Sequence, residues 1–330
     1  MSAVDAAFPA SRPRRLRRTA ALRRLVSEVE VSPSDLVLPL FVKEGIAEPL
    51  PIGSMPGVFQ HSRDSLRKAV VDAASAGVGG VILFGIPSVK DARGSAADDP
   101  DGIVQLALRD VVAEVGDAVV VMADLCLDEY TDHGHCGLLT PGGEVDNDAT
   151  LARYASIALA QATAGVQVVG PSGMMDGQVG AIRSALDGGG YTDVAIMAYS
   201  AKYASAFYGP FREAAECAPR FGDRASYQQD PARSAREAVA EARLDVAEGA
   251  DIVMVKPAIG YLDVVREVAS SVDVPVAAYN VSGEYAMVEA AAANGWLDRE
   301  RAIEEMVTSI KRAGAAIVLT YWATELAGRL

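Results

Sequence analysis

Eight short apolar runs, separated by helix-like patterns, constrain this 330-residue chain more than any other feature. They fall at 36–42, 78–84, 119–125, 166–171, 194–200, 251–256, 275–281 and 315–321, and read for instance LVLPLFV, VGGVILF and VAIMAYS. β-Branched residues are frequent, and odd and even positions are apolar alike. Both faces of each strand must therefore be covered, as in a parallel sheet lined by helices. Helical patterns lie between the runs at 65–76, 101–115, 149–164, 175–186, 234–248, 261–270, 284–293 and 299–313. Gly77, Gly165, Gly249 and Gly314 follow four of them, and glycine there ends a helix by turning left-handed. Eight strands alternating with helices, with no Pro/Ser/Gly linker, predict one closed (β/α)8 TIM barrel over 31–330, preceded by an extended arm over 1–30.

Composition allows such a core and narrows the function. Half of the residues are hydrophobic and 22% are charged, which excludes intrinsic disorder and a collagen-like fibre. A formal net charge of −14 argues against nucleic acid and anionic membrane surfaces as partners. No apolar run reaches the ~18 residues of a membrane span. Three cysteines, Cys126, Cys136 and Cys217, are too few and odd in number for a disulfide framework, so a cytoplasmic protein is expected. The arm is basic against this background, with Arg12, Arg14, Arg15, Arg17, Arg18, Arg23 and Arg24 opposed by Asp5, Glu28 and Glu30. A transit peptide would call for a cleavage-like linker, whereas Ser32-Pro33-Ser34-Asp35 leads straight into the first strand. An arm packed on an acidic neighbouring subunit is the better reading.

Barrel active sites lie at the C-terminal ends of the strands. Asp124 and Cys126 follow the third strand, Ser172 the fourth, Lys202 the fifth, Lys256 the sixth, Ser282 the seventh and Tyr321 the eighth. Only six of the thirty basic residues are lysine, and two of the six end neighbouring strands. A lone strand-end lysine often only pairs with an acid and closes the barrel. Two ammonium groups close together in a dry cavity disfavour each other's charge, and a neutral amine is what attacks a ketone to give a Schiff base.

Two further constellations stand out. Asp124-Leu-Cys126-Leu-Asp128-Glu-Tyr-Thr-Asp132-His133-Gly-His135-Cys136 gathers thiols, carboxylates and imidazoles that suit Zn²⁺, although two buried structural thiols would look the same in sequence. The long connection 202–231 carries Arg212, Arg220 and Arg224 among Gly and Pro, as suits a lid that clamps a carboxylate.

The motifs Asp132-His-Gly-His-Cys-Gly137, Met197-Ala-Tyr-Ser-Ala-Lys202, Phe207-Tyr-Gly-Pro-Phe-Arg212, Met254-Val-Lys256-Pro-Ala and Val281-Ser-Gly-Glu-Tyr-Ala-Met287, in this order, closely resemble the δ-aminolevulinic acid dehydratase (porphobilinogen synthase) family. The resemblance runs from about Arg14 to the C-terminus. It implies a lyase that condenses two 5-aminolevulinate molecules into porphobilinogen with loss of two waters, early in tetrapyrrole synthesis. By the same likeness, Lys256 and Lys202 carry the two substrates as Schiff bases. Arg212, Arg224 and Gln228 would hold one carboxylate, Ser282 and Tyr321 the other, with Phe207 and Tyr208 beside them. Asp124 and Ser172 would assist proton transfer. A homo-octamer is implied, with a hexamer as the alternative.

The sequence departs from the family at the metal loop. Zinc-type members place a cysteine where Asp128 stands, and magnesium-type members lack Cys126 and Cys136. Thiolates suit Mg²⁺ poorly, so Zn²⁺ on Cys126, Asp128 and Cys136 is expected. Gly173 stands where many relatives have Asp, and Gln178 where Arg is common. Glu241 matches the glutamate that holds an allosteric Mg²⁺ in some bacterial relatives. A class I aldolase would need one Schiff-base lysine and usually a phosphate loop, which the chain lacks. A catalytically silent barrel would have lost a lysine or the lid.

Overall fold

The computed structural model describes residues 8–330. Residues 1–7, the start of the expected arm, lie outside the described residues. Eight parallel strands, β1 (Leu36–Lys43), β2 (Gly80–Ile86), β3 (Val120–Leu125), β4 (Val168–Pro171), β5 (Ala195–Lys202), β6 (Ile252–Lys256), β7 (Val276–Tyr279) and β8 (Ile317–Leu319), follow one another around a ring. The ring closes because β8 pairs back onto β1, Leu36 opposite Val318 and Val37 opposite Leu319. The architecture is the expected (β/α)8 barrel, and all eight expected runs are strands in it. A short antiparallel pair, Leu50–Pro51 and Phe59–His61, which the sequence did not announce, adds to the end of β1.

Helices α1 (Arg63–Ser75), α2 (Ile103–Val115), α3 (Asn147–Thr163), α4 (Gln178–Gly188), α5 (Ala235–Glu248) and α6 (Leu262–Ala269) each precede the next strand. Two helices, α7 (Ser282–Ala293) and α8 (Arg299–Ala313), both lie between β7 and β8, and the short α9 (Ala323–Ala327) follows β8. Ser62, Asp146 and Asp298 cap α1, α3 and α8 by accepting an N–H of the first turn. The four glycines read as helix stops, Gly77, Gly165, Gly249 and Gly314, all have φ between 83° and 119°. Among the described residues no helix is long and apolar enough to cross a membrane.

One irregularity decides where the site forms. From Met197 to Lys202 β5 takes five steps while β6 takes four, Ile252 to Lys256, so β5 carries one extra residue between Ala198 and Ala201. Such a bulge re-aims the side chains beyond it. Strict alternation would send Tyr199 and Lys202 to opposite faces. With the extra residue, Lys202 lies level with Lys256 and its Nζ stands 5.7 Å from the Tyr199 ring centre.

The barrel's entry turn is packed to the limit at Gly79. Its N–H donates to the carbonyls of Pro33 and Leu36, and a Cβ there would lie 2.1 Å from the Ser34 carbonyl oxygen. Because the obstacle is backbone, Gly79→Ala should cost about 1–3 kcal/mol. Thermal unfolding should show a Tm several degrees lower, and an unchanged Tm would mean that the turn yields freely.

Candidate active site

Strand ends bring the expected residues together at the mouth of the barrel. Lys202 and Lys256 are each 4% exposed. The Lys256 ammonium is walled by four aromatic rings, with Nζ 5.2 Å from the centres of Tyr199 and Tyr208, 5.0 Å from Phe211 and 4.5 Å from Tyr279. Burial first, and the Lys202 charge second, pull the Lys256 pKa down to about 7. This is the depression expected of a paired lysine.

For Lys202 that expectation is corrected. Burial again works against its charge, but the nearby Cys136, Cys126 and Asp128 outweigh it and leave the pKa above the usual lysine value. Its Nζ donates to the Ser172 carbonyl at 2.5 Å. The two amines therefore differ at neutral pH, one close to half deprotonated and the other charged.

Asp124, at the end of β3, is buried within reach of both charges. Burial and the Asp128 charge push its pKa up to about 7, against the pull of both lysines. Its Oδ2 accepts the Ser172 hydroxyl at 3.1 Å, which joins the two residues expected to move protons. On the Lys256 side, the Tyr321 hydroxyl lies 3.1 Å from that of Tyr279. Ser282 Oγ accepts the Phe211 N–H at 3.0 Å, so it sits against the residues that wall Lys256.

The connection 202–231 folds over this mouth, with a short helix Gly209–Ala214 inside it. Arg212, on that helix, is half-buried and makes no side-chain hydrogen bond or ion pair among the described residues. Phe207 is half-buried, and the Tyr208 hydroxyl donates to the Lys256 carbonyl at 3.1 Å. Gln228 is buried and its Nε2 has no partner among the described residues. Arg224 is already largely engaged. It is buried, pairs with Asp128 at 2.9 Å and donates to the carbonyls of Gly134 and Cys217, and its Nε has no partner among the described residues. Arg220 is exposed.

The thiol loop closes into a compact donor set. The ligand atoms of Cys126, Asp128 and Cys136 all lie within 4.8 Å of one another, and all three residues are buried. A tetrahedral ion with metal–sulfur bonds near 2.3 Å needs donors about 3.8 Å apart, so one Zn²⁺ fits this set while Mg²⁺ does not suit its sulfurs. Burial and the neighbouring Cys136 push the Cys126 thiol up, whereas Cys126 beside it lowers Cys136. Burial works against the Asp128 carboxylate, but Arg224 and Lys202 hold it below the usual range. The histidines stand apart from the donor set. His135 bonds the Tyr227 hydroxyl and the Phe221 carbonyl, both at 3.1 Å, and His133 Nδ1 accepts the His135 N–H. They brace the loop against the lid.

Glu241 lies on α5. With Asp176 and Glu237 it lines a cavity of about 630 Å³ that also reaches Tyr227 and Gln228 of the connection 202–231, and burial followed by those two carboxylates raises its pKa.

Sequence reasoning overlooked Tyr199, Tyr279 and Phe211, which wall Lys256, and Tyr154, whose hydroxyl donates to the Cys136 carbonyl at 2.6 Å. Tyr154 also accounts for Gly173. A Cβ at 173 would fall 1.6 Å from its hydroxyl and 2.5 Å from its ring, and Tyr154 is fully buried with nowhere to turn. The other departure, Gln178, is a local brace whose Oε1 accepts the Met175 N–H.

A closed barrel with two buried lysines, a proton-holding carboxylate and a thiol loop at its mouth defines a (β/α)8 barrel enzyme. The model of the family described as delta-aminolevulinic acid dehydratase matches residues 10–329. The chain is 63% identical over 325 residues to the delta-aminolevulinic acid dehydratase of Streptomyces coelicolor, covering 98% of each chain. It is 62% identical over 322 residues to that of Mycobacterium leprae, covering 97% of each. Among solved structures it is similar to the delta-aminolevulinic acid dehydratase (porphobilinogen synthase) of Toxoplasma gondii in complex with the reaction product porphobilinogen. The TM-score is 0.95 at 42% identity, with 97% of this chain and 91% of that one covered. The chain belongs to the δ-aminolevulinic acid dehydratase family and is a lyase.

The clash at Gly173 is testable by a double-mutant cycle. Gly173→Ala should cost about 1–3 kcal/mol by forcing Tyr154 off Cys136. Gly173→Ala combined with Tyr154→Ala should lose clearly less stability than the two single losses summed. Additive losses in thermal unfolding would show that Tyr154 is not what excludes a side chain at 173.

Proposed function

We propose that the enzyme condenses two 5-aminolevulinate molecules into porphobilinogen through Schiff bases on Lys256 and Lys202. Family membership supports the overall reaction. The observation that carries the two-lysine mechanism is the Lys256 amine, pulled to about 7 inside four aromatic rings and level with a second lysine.

The free amine of Lys256 attacks the ketone carbon of the first substrate, and the carbinolamine loses water to give an iminium. Ser282 and Tyr321 stand on this side and would receive that substrate's carboxylate. Lys202 carries a proton and must lose it before it attacks the second ketone. Asp124, with a pKa near 7 and tied to Ser172, would take it. Two Schiff bases account for the two waters lost, and each lysine returns as an amine when the new carbon–carbon and carbon–nitrogen bonds form. Arg212, with no partner of its own, and Gln228, with a buried unpartnered Nε2, suit the second carboxylate. Arg224 contributes mainly by tying the lid to Asp128. Both lysines are buried under the connection 202–231, so that segment opens to admit substrate.

Cys126, Asp128 and Cys136 would hold Zn²⁺, which when bound supplies a Lewis acid and a water of lowered pKa. Glu241, with its neighbours Asp176 and Glu237, would hold an allosteric Mg²⁺. Residues 1–30 form the arm and 31–330 the catalytic barrel in this reading. The arm's helical turns Pro13–Arg17 and Ala20–Leu25 bury none of their residues, which suits docking on another subunit of a homo-oligomer, an octamer by family likeness.

Borohydride added with 5-aminolevulinate should trap one substrate on Lys256. Because only the free amine reacts, the trapped fraction should fall as pH drops through about 7 and rise above it. Mass spectrometry of the adduct across pH 5.5–8.5 reads this directly. Lys256→Arg should abolish adduct and turnover, whereas Lys202→Ala should keep the adduct and lose product. A flat pH profile, or a midpoint near the ordinary lysine value, would refute the role of the aromatic enclosure.

Arg212→Ala should raise the KM for 5-aminolevulinate about tenfold, as expected for a charge-assisted pair worth about 1.5 kcal/mol at a half-buried position. Steady-state kinetics with an unchanged KM would assign Arg212 to the solvated surface.

A further inference from the structure

The loop after β3 holds more acidic donors than one metal ion uses. Beside the set of Cys126, Asp128 and Cys136, the ligand atoms of Asp124, Cys126 and Glu129 also lie within 4.8 Å of one another, and all three residues are buried. Glu129 is 2% exposed, and neither of its carboxylate oxygens has a hydrogen-bond partner among the described residues. Asp124 uses Oδ2 for Ser172 and leaves Oδ1 without a partner. Buried carboxylate oxygens without donors are costly unless the group holds a proton, as burial favours for Glu129, or a cation displaces that proton. We propose that Asp124, Cys126 and Glu129 form a second divalent-cation position that shares the Cys126 sulfur with the first.

The charges favour it. Five acidic donors, Asp124, Cys126, Asp128, Glu129 and Cys136, face Arg224, Lys202 and Lys256. Arg224 is already spent on Asp128. One dication among Cys126, Asp128 and Cys136 leaves Glu129 without a ligand partner and Asp124 with only the two lysines to offset its charge. A thiolate sulfur has lone pairs enough for two ions. One sulfur with two carboxylates is a donor set of mixed hardness, suited to a borderline ion such as Zn²⁺ or Co²⁺ and poorly suited to Mg²⁺. The assignment rests on the reading of Cys126, Asp128 and Cys136 as a metal site, and the test separates the two.

The probe is Co²⁺ as the sole divalent metal with the full-length enzyme, located by anomalous diffraction at the cobalt edge. Two peaks should flank the Cys126 sulfur in the wild type. In Glu129→Gln, which keeps the shape but loses the charge, the peak next to Asp124 should vanish and the one next to Cys136 should remain. In solution, the sulfur-to-cobalt absorption should saturate at two equivalents in the wild type and one in the variant. Cobalt at Glu241 has no sulfur ligand and adds nothing to that band. A single wild-type peak beside Cys136 at saturating Co²⁺ overturns the second position and leaves the first standing. No peak at either place overturns both, and two undiminished peaks in Glu129→Gln overturn the role of Glu129. The wild-type map decides the matter even where the variant does not fold.

Discussion

Two lysines held level at the ends of adjacent strands, in opposite electrostatic surroundings, set the terms for the rest of this molecule. Lys256 stands among Tyr199, Tyr208, Phe211 and Tyr279, where nothing of opposite charge compensates its burial in full. Lys202 stands toward Cys136, Cys126 and Asp128, where acids more than repay it. Identical amines in identical surroundings would compete for the same substrate with the same reactivity. Here one amine is ready at neutral pH and the other needs a base, and Asp124 with Ser172 lies within reach of both charges. The division of labour proposed for the two lysines follows from which wall of the barrel each one faces.

The same surroundings couple the lid to the thiol loop. The connection 202–231 supplies Tyr208 and Phe211 to the wall around Lys256, and Arg224 to the buried pair with Asp128. It also supplies Tyr227 and the Phe221 carbonyl to His135. Closure of a lid here would dry the Lys256 side and complete the charge balance of the loop in one movement. Opening it would strip Asp128 of its guanidinium. Separating a buried ion pair is expensive unless another charge replaces the one removed. A cation on the loop would supply that charge, so metal binding and lid opening draw on the same electrostatic term.

How far the sequence carried the reading depends on the range of the interaction behind each feature. The strands at 78–84 and 251–256 and the helix stops at Gly249 and Gly314 are local events of burial and backbone conformation, and both are legible in a run of residues. The clustering of Asp124, Ser172, Lys202, Lys256, Ser282 and Tyr321 follows from the barrel rule alone, because each ends a strand. The bulge in β5 is different, since the extra residue shows only when β5 and β6 are laid side by side. The upward shift of Lys202 depends on thiols more than sixty residues away, so counting two nearby lysines gave the wrong sign. Arg224 read as a lid arginine like Arg212, and only its partner in the third dimension separates the two.

Gly173 makes the same point about departures from a family pattern. In sequence it read only as a position where many relatives have Asp. In space the position is filled by Tyr154, whose hydroxyl holds the Cys136 carbonyl and lies 3.8 Å from the Cys126 sulfur. The hybrid loop and the small residue thus belong to one arrangement. With Asp128 in place of a third cysteine the loop has one sulfur fewer to fix its shape, and Tyr154 braces both remaining cysteines from behind. That brace needs the volume that a side chain at 173 would take. An acid restored at 173 would displace the tyrosine, and the loop would lose a support that its two-thiol donor set depends on.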